Sequence, residues 1–425
     1  MNYKESIKYI EYTKNQLRQI DNSRMKKLMK ELDNPQDKLS FIHVGGTNGK
    51  GSCVASLSSI LISAGYKVGM YTSPHLVKYE ERMKVNDKCI SQKKFAQIAE
   101  KVKGVTDKMK ETPTVFEKLT AMAFEYFYEA KVDVVILEVG LGGRLDATNV
   151  IKKPDLCILM NIGLEHTEVL GDTISKIAKE KSGIIKENSN VVCYKSSKEA
   201  IDVFKEVAKE KHANLKVVDF KKIKIKKEGL NGQVFDYGDI KNIELSLLGK
   251  HQFKNAATVI EACSALKEIG YKITLNNVRE GLKNVVWDAR LSIMCKKPLF
   301  ILDGAHNPQC TEALKESLPT LLKNKKAIML CGVLKDKDYK SLMKAMIPFA
   351  KEFVCLTPGS YRALKAEDLA DELRKKKQVA TPVSSIEEGI KLSLTKAKKN
   401  GVIVAFGSLY LVGYIHDVFN KLYKK

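Results

Sequence analysis

A glycine-rich segment near residue 45 has the residue types and the spacing of a loop that holds phosphate groups. It follows a β-branched run and reads Phe41-Ile42-His43-Val44-Gly45-Gly46-Thr47-Asn48-Gly49-Lys50-Gly51-Ser52. Such a turn exposes successive backbone N–H groups at a helix N-terminus, which suits a polyphosphate. Lys50 would add a positive charge for the β- and γ-phosphates, and Ser52 a hydroxyl near a metal ion. The predicted nucleotide-binding residues are Gly46, Thr47, Asn48, Gly49, Lys50, Gly51 and Ser52.

The segment departs from the strict P-loop pattern G-x-x-x-x-G-K-[ST]. Val44 stands where the first glycine belongs, and Gly51 occupies the Ser/Thr position. A glycine-rich turn with an incidental lysine therefore remains an alternative interpretation.

A carboxylate follows another buried run. Glu138 comes directly after the predicted strand 132–137 and precedes a glycine-rich stretch. A carboxylate at the carboxyl end of a parallel strand can face a nucleotide crevice, where Mg²⁺ takes hard oxygen ligands. Glu138 is therefore a candidate magnesium ligand.

The elements that must position these residues alternate along the chain. Short β-branched runs and longer amphipathic stretches predict an α/β fold with a largely parallel sheet. The predicted strands are 41–44, 68–72, 132–137, 156–160 and 191–194, and the predicted helices are 51–64, 115–130, 173–186 and 198–211. Residues 215–247 break the rhythm and indicate short strands, as in an antiparallel flap.

The rhythm restarts after a helical region at 252–269 and 275–283. Predicted strands at 299–302, 327–331, 353–356 and 402–405 indicate a second, smaller doubly wound domain. We expect domains at residues 1–287 and 298–425, joined by a linker at about 288–297.

Composition narrows the functional class. The chain has 425 residues, a net charge of +23 and nine scattered cysteines without a C-x-x-C pair. This cysteine usage argues against a disulfide framework and a structural zinc site. No apolar run reaches membrane-spanning length and the N-terminus lacks a signal-peptide core, so we expect a cytoplasmic protein. The positive charge could indicate nucleic-acid binding, solvated helix faces or a field for anionic substrates, and the dispersed lysines favour solvated faces.

The glycine-rich segment resembles the nucleotide loop of the Mur ligase superfamily, in particular folylpolyglutamate synthase and dihydrofolate synthase. Further segments match that family in order, from about residue 41 to residue 413. They are Tyr71-Thr72-Ser73-Pro74-His75-Leu76, Phe116-Glu117-Lys118-Leu119-Thr120, Leu137-Glu138-Val139-Gly140-Leu141-Gly142-Gly143-Arg144-Leu145-Asp146-Ala147-Thr148-Asn149, Leu164-Glu165-His166-Thr167, Ile177-Ala178-Lys179-Glu180-Lys181-Ser182-Gly183, Gly249-Lys250-His251-Gln252, Leu302-Asp303-Gly304-Ala305-His306-Asn307-Pro308 and Gly407-Ser408-Leu409-Tyr410-Leu411-Val412-Gly413.

The resemblance implies a P-loop-containing Mur-ligase-type N-terminal domain followed by a smaller Rossmann-like C-terminal domain. It implies an ATP- and Mg²⁺-dependent amide ligase that adds L-glutamate to folates, and also to dihydropteroate, through an acyl phosphate. The expected partners are small molecules, namely ATP, glutamate and dihydropteroate or reduced folates. We expect neither nucleic acid nor membrane as a partner, and a monomer.

Site residues carry over at matching positions. Ser73, Glu138 and His166 correspond to metal ligands, and Lys181 to a lysine that becomes carbamylated. The resemblance implies catalytic roles for Lys50, Arg290, His166 and Lys181. It implies nucleotide contacts for Asn255, Arg290, Asp303 and His306, and substrate contacts for Phe116, Arg144, Asp146 and Ser408. The family often has Trp-Pro-Gly-Arg where this chain has Trp287-Asp288-Ala289-Arg290, which leaves the linker geometry open.

Several blander interpretations stay open from the residues themselves. His166 could be a surface histidine, Phe116 a core residue at a helix start, and Lys181 a solvated helix residue. Asp303 and His306 could form a metal pair or a catalytic dyad. The functional alternatives are a peptidoglycan-precursor Mur ligase and, from another class, a nucleic-acid-binding P-loop ATPase or GTPase.

Overall fold

The computed structural model describes residues 1–12 and 21–423. The chain divides into two compact units, one made of Met1–Ile223 with Lys254–Val285, the other of Lys224–Phe253 with Val286–Lys425. The segment 224–253 thus folds with the C-terminal residues rather than with the residues that precede it. The domain boundary expected near 288–297 stays a prediction.

The first unit is built on an eight-stranded sheet with the order β4-β3-β2-β5-β1-β6-β7-β8. Its strands are β1 (Phe41–Gly45), β2 (Val68–Tyr71), β3 (Met83–Val85), β4 (Lys88–Cys89), β5 (Val134–Glu138), β6 (Leu156–Leu159), β7 (Asn190–Cys193) and β8 (Asn214–Val217). All neighbours from β2 to β8 pair in parallel, and the short β3 and β4 pair antiparallel. The predicted parallel α/β fold is confirmed.

The described residues before 285 form ten α-helices. They are α1 (Tyr3–Glu11), α2 (Ser23–Glu31), α3 (Lys50–Ser63), α4 (Gln92–Thr106), α5 (Val115–Ala130), α6 (Thr167–Leu170), α7 (Ile174–Ser182), α8 (Lys198–Glu210), α9 (Lys250–Glu268) and α10 (Leu275–Asn284). Local sequence explains the start of α5, because Thr114 and Glu117 form a reciprocal capping box. Within the described residues, no helix combines the length and the apolar character that crossing a bilayer needs.

The second unit contains a six-stranded sheet, β12-β13-β17-β14-β15-β16, and a three-stranded sheet, β11-β10-β9. The strands are β9 (Ile223–Lys227), β10 (Gln233–Tyr237), β11 (Ile240–Leu245), β12 (Ser292–Lys296), β13 (Leu299–Leu302), β14 (Ala327–Cys331), β15 (Ala350–Cys355), β16 (Ala380–Pro382) and β17 (Val402–Phe406). The helices are α11 (Pro308–Leu322), α12 (Tyr339–Met346), α13 (Ala366–Lys375), α14 (Ile386–Ala397) and α15 (Leu409–Tyr423). In the six-stranded sheet, the neighbouring strands β13, β17, β14, β15 and β16 all pair in parallel.

Two predicted segments differ from the structure. The helix expected at 173–186 ends at Ser182, with Gly183 as its C-cap, and a Cβ on Gly183 would lie 2.4 Å from the Cα of Arg144. Of the flap expected at 215–247, residues 223–245 form the three-stranded sheet, whereas residues 214–217 extend the large sheet as β8.

Strand register sets the position of the site in the first unit. Val44 lies beside Glu138 of β5, and Gly45 lies beside Leu159 of β6. The central strands β5, β1 and β6 therefore end together, and the loops that follow them share one edge of the sheet.

Candidate functional site

The glycine-rich loop joins β1 to α3. The N-cap of α3 is Gly49, whose φ of 87° lies in the left-handed region. Gly46 has a φ of 136°, and a Cβ there would lie 2.7 Å from the Cβ of Met160. Both positions thus need glycine, for backbone conformation and for close approach. The first N–H groups of α3 have no intrahelical partner, so the loop ends in a group of donors suited to phosphate.

The loop is fixed by the chain that follows β6. The backbone N–H groups of Thr47 and Asn48 donate to the carbonyl of Asn161 at 2.7 and 3.3 Å. The Thr47 hydroxyl lies 3.2 Å from the carbonyl oxygen of Gly163. Asn255 of α9 also lies against the loop, because a Cβ on Gly49 would come within 2.8 Å of its Oδ1. The structure therefore brings Asn255 to the predicted phosphate loop.

Lys50 lies between the loop and the end of β5. Its Nζ donates to the Thr47 carbonyl at 3.2 Å and lies 3.9 Å from Oε1 of Glu138. Glu138 is 4% exposed, and its Oε2 accepts a hydrogen bond from the backbone N–H of Ser73 at 3.2 Å. Two of the three predicted metal ligands, Ser73 and Glu138, are thus neighbours beside Lys50.

The third predicted metal ligand, His166, precedes the short helix α6. Its φ is 51°, and its Nε2 lies 3.9 Å from Oε1 of Glu165. The side chain is half-exposed. Among the described residues, no three His, Cys, Asp or Glu side chains form a ready metal cluster. One carboxylate and one hydroxyl beside a phosphate loop nevertheless fit Mg²⁺, which usually retains water and substrate phosphate oxygens as ligands.

Lys181 is buried on α7, with 5% of its surface exposed. Its Nζ donates to the carbonyl of Gly46 at 3.0 Å, so it lies directly behind the phosphate loop. Burial, and then the charge of Lys50, lowers its pKa from 10.5 to about 7, although Glu165 and Asp146 act in the opposite direction. The residue pattern alone indicates a solvated lysine at this position, and that interpretation is wrong.

The predicted acceptor residues surround the loop after β5. The Phe116 ring lies on Gly140, where a Cβ would be 2.4 Å from its Cζ. The carboxylate of Asp146 accepts from the N–H groups of Leu141 and Thr148 at 2.8 and 3.0 Å. Burial raises the pKa of Asp146, and these hydrogen bonds oppose the rise. Arg144 is more than half exposed and donates to Oε1 of Glu180 through Nε and Nη2.

The second unit carries its own predicted residues at the carboxyl end of β13. Asp303 accepts from the N–H groups of Leu291 and Ala305 at 3.0 and 2.9 Å. Burial raises the pKa of Asp303, whereas the nearby Arg290 opposes the rise. Arg290 lies over Gly304, where a Cβ would be 2.7 Å from its Nη1. The structure thus brings Arg290 and Asp303 together.

His306 and Ser408 lie at the same edge of the second sheet. His306 follows Asp303 in the loop, and its Nδ1 is 2.7 Å from the carbonyl of Gly304. Ser408 is buried and precedes α15, and it follows β17, which pairs with β13.

Three residues contribute to these sites in ways that their side-chain types do not predict. Asn161 acts through its backbone carbonyl, which no residue pattern reveals. Glu180 and Glu165 lie inside matched segments, but their contacts with Arg144 and His166 depend on tertiary packing.

Most of the chain matches two known domain families. Residues 44–263 match the Mur ligase middle domain, and residues 289–409 match the Mur ligase glutamate ligase domain. The chain is thus a protein of the Mur ligase class.

Within that class, similar proteins are described as folylpolyglutamate synthases or dihydrofolate synthases. The dihydrofolate synthase/folylpolyglutamate synthase of Bacillus subtilis (strain 168) is 36% identical over 412 residues, covering 94% of each chain. A folylpolyglutamate synthase structure from Thermotoga maritima matches with a TM-score of 0.87 at 34% identity, covering 100% of this chain and 97% of that one. A structure described as an FPGS-AMPPCP-folate complex matches with a TM-score of 0.85 at 30% identity, covering 98% of this chain and 99% of that one. The chain belongs to the folylpolyglutamate synthase/dihydrofolate synthase family.

Proposed function

We propose that this chain is an ATP-dependent ligase that joins the amino group of L-glutamate to the carboxylate of a folate, and that it also accepts dihydropteroate. The proposal depends above all on one arrangement. The phosphate loop, the buried Glu138 and the buried Lys181 meet at one edge of the first sheet. The folate acceptor is supported by the relatives, one of which is described as a complex with AMPPCP and folate.

The proposed reaction has two chemical steps. An oxygen of the acceptor carboxylate attacks the γ-phosphorus of ATP, the bond to the β-phosphate oxygen breaks, and ADP leaves. The neutral glutamate nitrogen then attacks the carbonyl carbon of the acyl phosphate, phosphate departs, and the nitrogen loses one proton as the amide forms. Activation is needed because a carboxylate is a poor electrophile. The chain's own contribution is to position and to neutralise charge, through the amides at the start of α3 and through Lys50.

Mg²⁺ would be held by Glu138 and Ser73, with His166 as the further ligand that family resemblance implies. When bound, it would supply charge neutralisation at the phosphates. Glu138 also faces Lys50 at 3.9 Å. The same carboxylate can therefore orient the lysine that contacts phosphate.

Lys181 is proposed to be carbamylated. A pKa near 7 leaves a substantial neutral fraction of the amine at physiological pH. The neutral Nζ can attack the carbon of CO₂, forming an N–C bond and releasing one proton, which leaves a carbamate anion. A carbamate would replace a buried cation beside Lys50 with an anion, and so remove the like-charge repulsion there. A carbonyl resonance from ¹³C-bicarbonate that is absent in Lys181→Met would support this modification.

Acceptor and nucleotide roles in the remaining loops are also proposals. Arg144 and Asp146 lie in the loop after β5, and the Phe116 ring packs on Gly140 of the same loop. These three residues are proposed to contact the pteridine-bearing acceptor. Arg290, Asp303 and His306 are proposed nucleotide contacts, and Ser408 a substrate contact. All four are supported by their common location at one edge of the second sheet.

We further propose that the protein acts as a cytoplasmic monomer. All nine cysteines are free thiols, which is usual for a reducing compartment. Sedimentation of the purified chain with ATP and folate would reveal any larger assembly.

The decisive assay is phosphate release from ATP with Mg²⁺ and glutamate, comparing dihydropteroate with tetrahydrofolate. Turnover with both acceptors would establish both proposed activities. Turnover with tetrahydrofolate alone would remove the dihydropteroate activity. Turnover with neither, but with a muropeptide precursor, would show that the acceptor class is wrong.

A further inference from the structure

A histidine lies in the middle of the strand that leads into the phosphate loop. His43 of β1 is completely buried, and its strand neighbours Ile42 and Val44 are apolar and buried. Its Nε2 lies 2.9 Å from the hydroxyl oxygen of Thr148, which is 105 residues later in the chain and also completely buried. The contact joins the strand before the phosphate loop to the loop after β5.

The Thr148 hydroxyl also reaches Asp146. It donates to Oδ1 of Asp146 at 2.5 Å, and the backbone N–H of Thr148 donates to the same oxygen. A hydroxyl has one proton, and a carboxylate can only accept it. With Asp146 ionised, the Thr148 oxygen therefore accepts from His43, which then carries its proton on Nε2. Donation thus runs in one direction, from His43 through Thr148 to Asp146.

This histidine is costly for the fold. Burial lowers its pKa to about 3, so it stays neutral. Its Nδ1 is buried and has no hydrogen-bond partner among the described residues, a situation that usually costs free energy. A branched apolar residue would pack in a central strand without that cost. The histidine is therefore better explained by the contact that it makes than by packing.

The Asp146 carboxylate organises the proposed acceptor loop. Its second oxygen accepts from the N–H of Leu141 at 2.8 Å, which closes the loop on itself. The ring of Phe116 packs against the preceding residue, Gly140. Displacement of Asp146 would therefore move the backbone on which the Phe116 ring packs.

We propose that His43 and Thr148 are positioning residues that hold the Asp146 carboxylate in place and so set the affinity for the pteridine-bearing acceptor. The inference rests on the proposed function, because it concerns the same acceptor. It assigns to β1 a second task besides presenting the phosphate loop.

The first test replaces the Thr148 hydroxyl. Thr148→Val keeps the side-chain shape but removes both hydrogen bonds, and Thr148→Ser keeps the hydroxyl. We expect Thr148→Val to raise the KM for dihydropteroate and for tetrahydrofolate about tenfold, the usual effect of one lost hydrogen bond to a charged group. The KM for ATP should stay within about twofold, and Thr148→Ser should restore the wild-type acceptor KM.

Thr106→Val is the matched control, because Thr106 is a buried threonine whose hydroxyl pairs with Tyr9 in the same unit. It should leave both KM values unchanged. Equal increases in the KM values for ATP and acceptor in Thr148→Val would show a general structural defect and overturn the inference.

A second test uses His43 and remains available if Thr148→Val does not fold. His43→Gln can still donate a proton to Thr148, whereas His43→Leu cannot. We expect the acceptor KM to rise about tenfold in His43→Leu and to stay near the wild-type value in His43→Gln. The double variant His43→Leu/Thr148→Val should be no worse than either single variant, because each breaks the same chain of contacts.

The two proposals fail in different ways. Absence of turnover by the wild-type chain with either acceptor would refute the proposed function. A wild-type chain that turns over, with an acceptor KM unchanged in both Thr148→Val and His43→Leu, would overturn the positioning role alone.

Discussion

Replacing Lys181 with methionine should stabilise the fold while abolishing the proposed activity. The side chain is 5% exposed, and its pKa is lowered from 10.5 to about 7. At about 1.36 kcal/mol per pKa unit, this shift corresponds to a cost of about 5 kcal/mol for the protonated lysine. The variant also loses the hydrogen bond from Lys181 to the carbonyl of Gly46, which offsets its gain in stability by about 1 kcal/mol. Because denatured chains keep some structure, we expect Lys181→Met to be more stable by about 3 kcal/mol at pH 7.

The expected pH dependence has a definite sign. Below pH 7 the amine is protonated in both states, so the full cost of burial is present. Between pH 7 and 10.5 the unfolded chain binds the proton and the folded chain does not, so the wild-type protein becomes more stable as the pH rises. The advantage of Lys181→Met should therefore shrink by about 1.36 kcal/mol per pH unit above pH 7 and vanish near pH 9.

The assay is urea unfolding of both proteins between pH 6.5 and 10, in buffers freed of bicarbonate so that the lysine stays unmodified. Lys179→Met is the matched control, since Lys179 lies on the same helix with its side chain about half exposed. It should change the free energy of unfolding by less than about 0.5 kcal/mol. A Lys181→Met protein that is less stable at pH 7, or whose advantage does not depend on pH, would refute this reasoning.

Three further perturbations test other parts of the sites. Gly46→Ala should weaken ATP binding at least tenfold in isothermal titration, because the φ of 136° and the close approach of Met160 exclude a side chain there. The control is Gly65→Ala, where φ is also positive but a Cβ meets no atom within 4 Å. Equal ATP affinities of the two variants would contradict the argument. Glu138→Gln should raise the Mg²⁺ concentration for half-maximal phosphate release about 10-fold or more, as a ligand charge is lost; unchanged Mg²⁺ dependence would remove Glu138 from the metal site. Arg24→Met should lower the free energy of unfolding by about 2–4 kcal/mol, because it removes the cation that pairs with the carboxylate of Glu117, which is 5% exposed and accepts from Nε and Nη2 of Arg24. Lys391→Met breaks an exposed pair with Glu387 and should cost less than about 1 kcal/mol, so equal losses would count against the burial argument.

The central strands could be predicted from sequence for a simple physical reason. The strands β1 and β5 are buried on both faces, so their residues are apolar apart from His43 in β1, and they end in residues of a different kind, Gly45 and Glu138. The position of Glu138 at a strand end follows directly from that pattern. The start of helix α5 is equally predictable, because Thr114 and Glu117 have the spacing of a capping box.

Other features depend on packing between distant segments. Nothing in the pattern around Lys181 distinguishes it from its solvated neighbours, and only family resemblance indicated a special role. Its burial arises because α7 lies against the backbone of Gly46. The pairing of His43 with Thr148 spans 105 residues and leaves no local signal.

The sequence likewise gives no local signal that residues 224–253 fold with the C-terminal residues. The sequence predicts short antiparallel strands there, and chain order alone places them in the first domain. Their actual neighbours include Glu228 with Thr320, a contact across 92 residues.

The hydrogen bonds from Thr47 and Asn48 to Asn161 have a consequence for how nucleotide would bind. These amides are engaged before any ligand arrives, so the front of the loop is already ordered. Binding would then cost little conformational entropy at that point, which favours tight capture of a small anion. In hydrogen–deuterium exchange, the Thr47 and Asn48 amides should exchange slowly with or without ATP. The amides of Lys50 and Gly51, at the open end of α3, should become protected only when nucleotide is present.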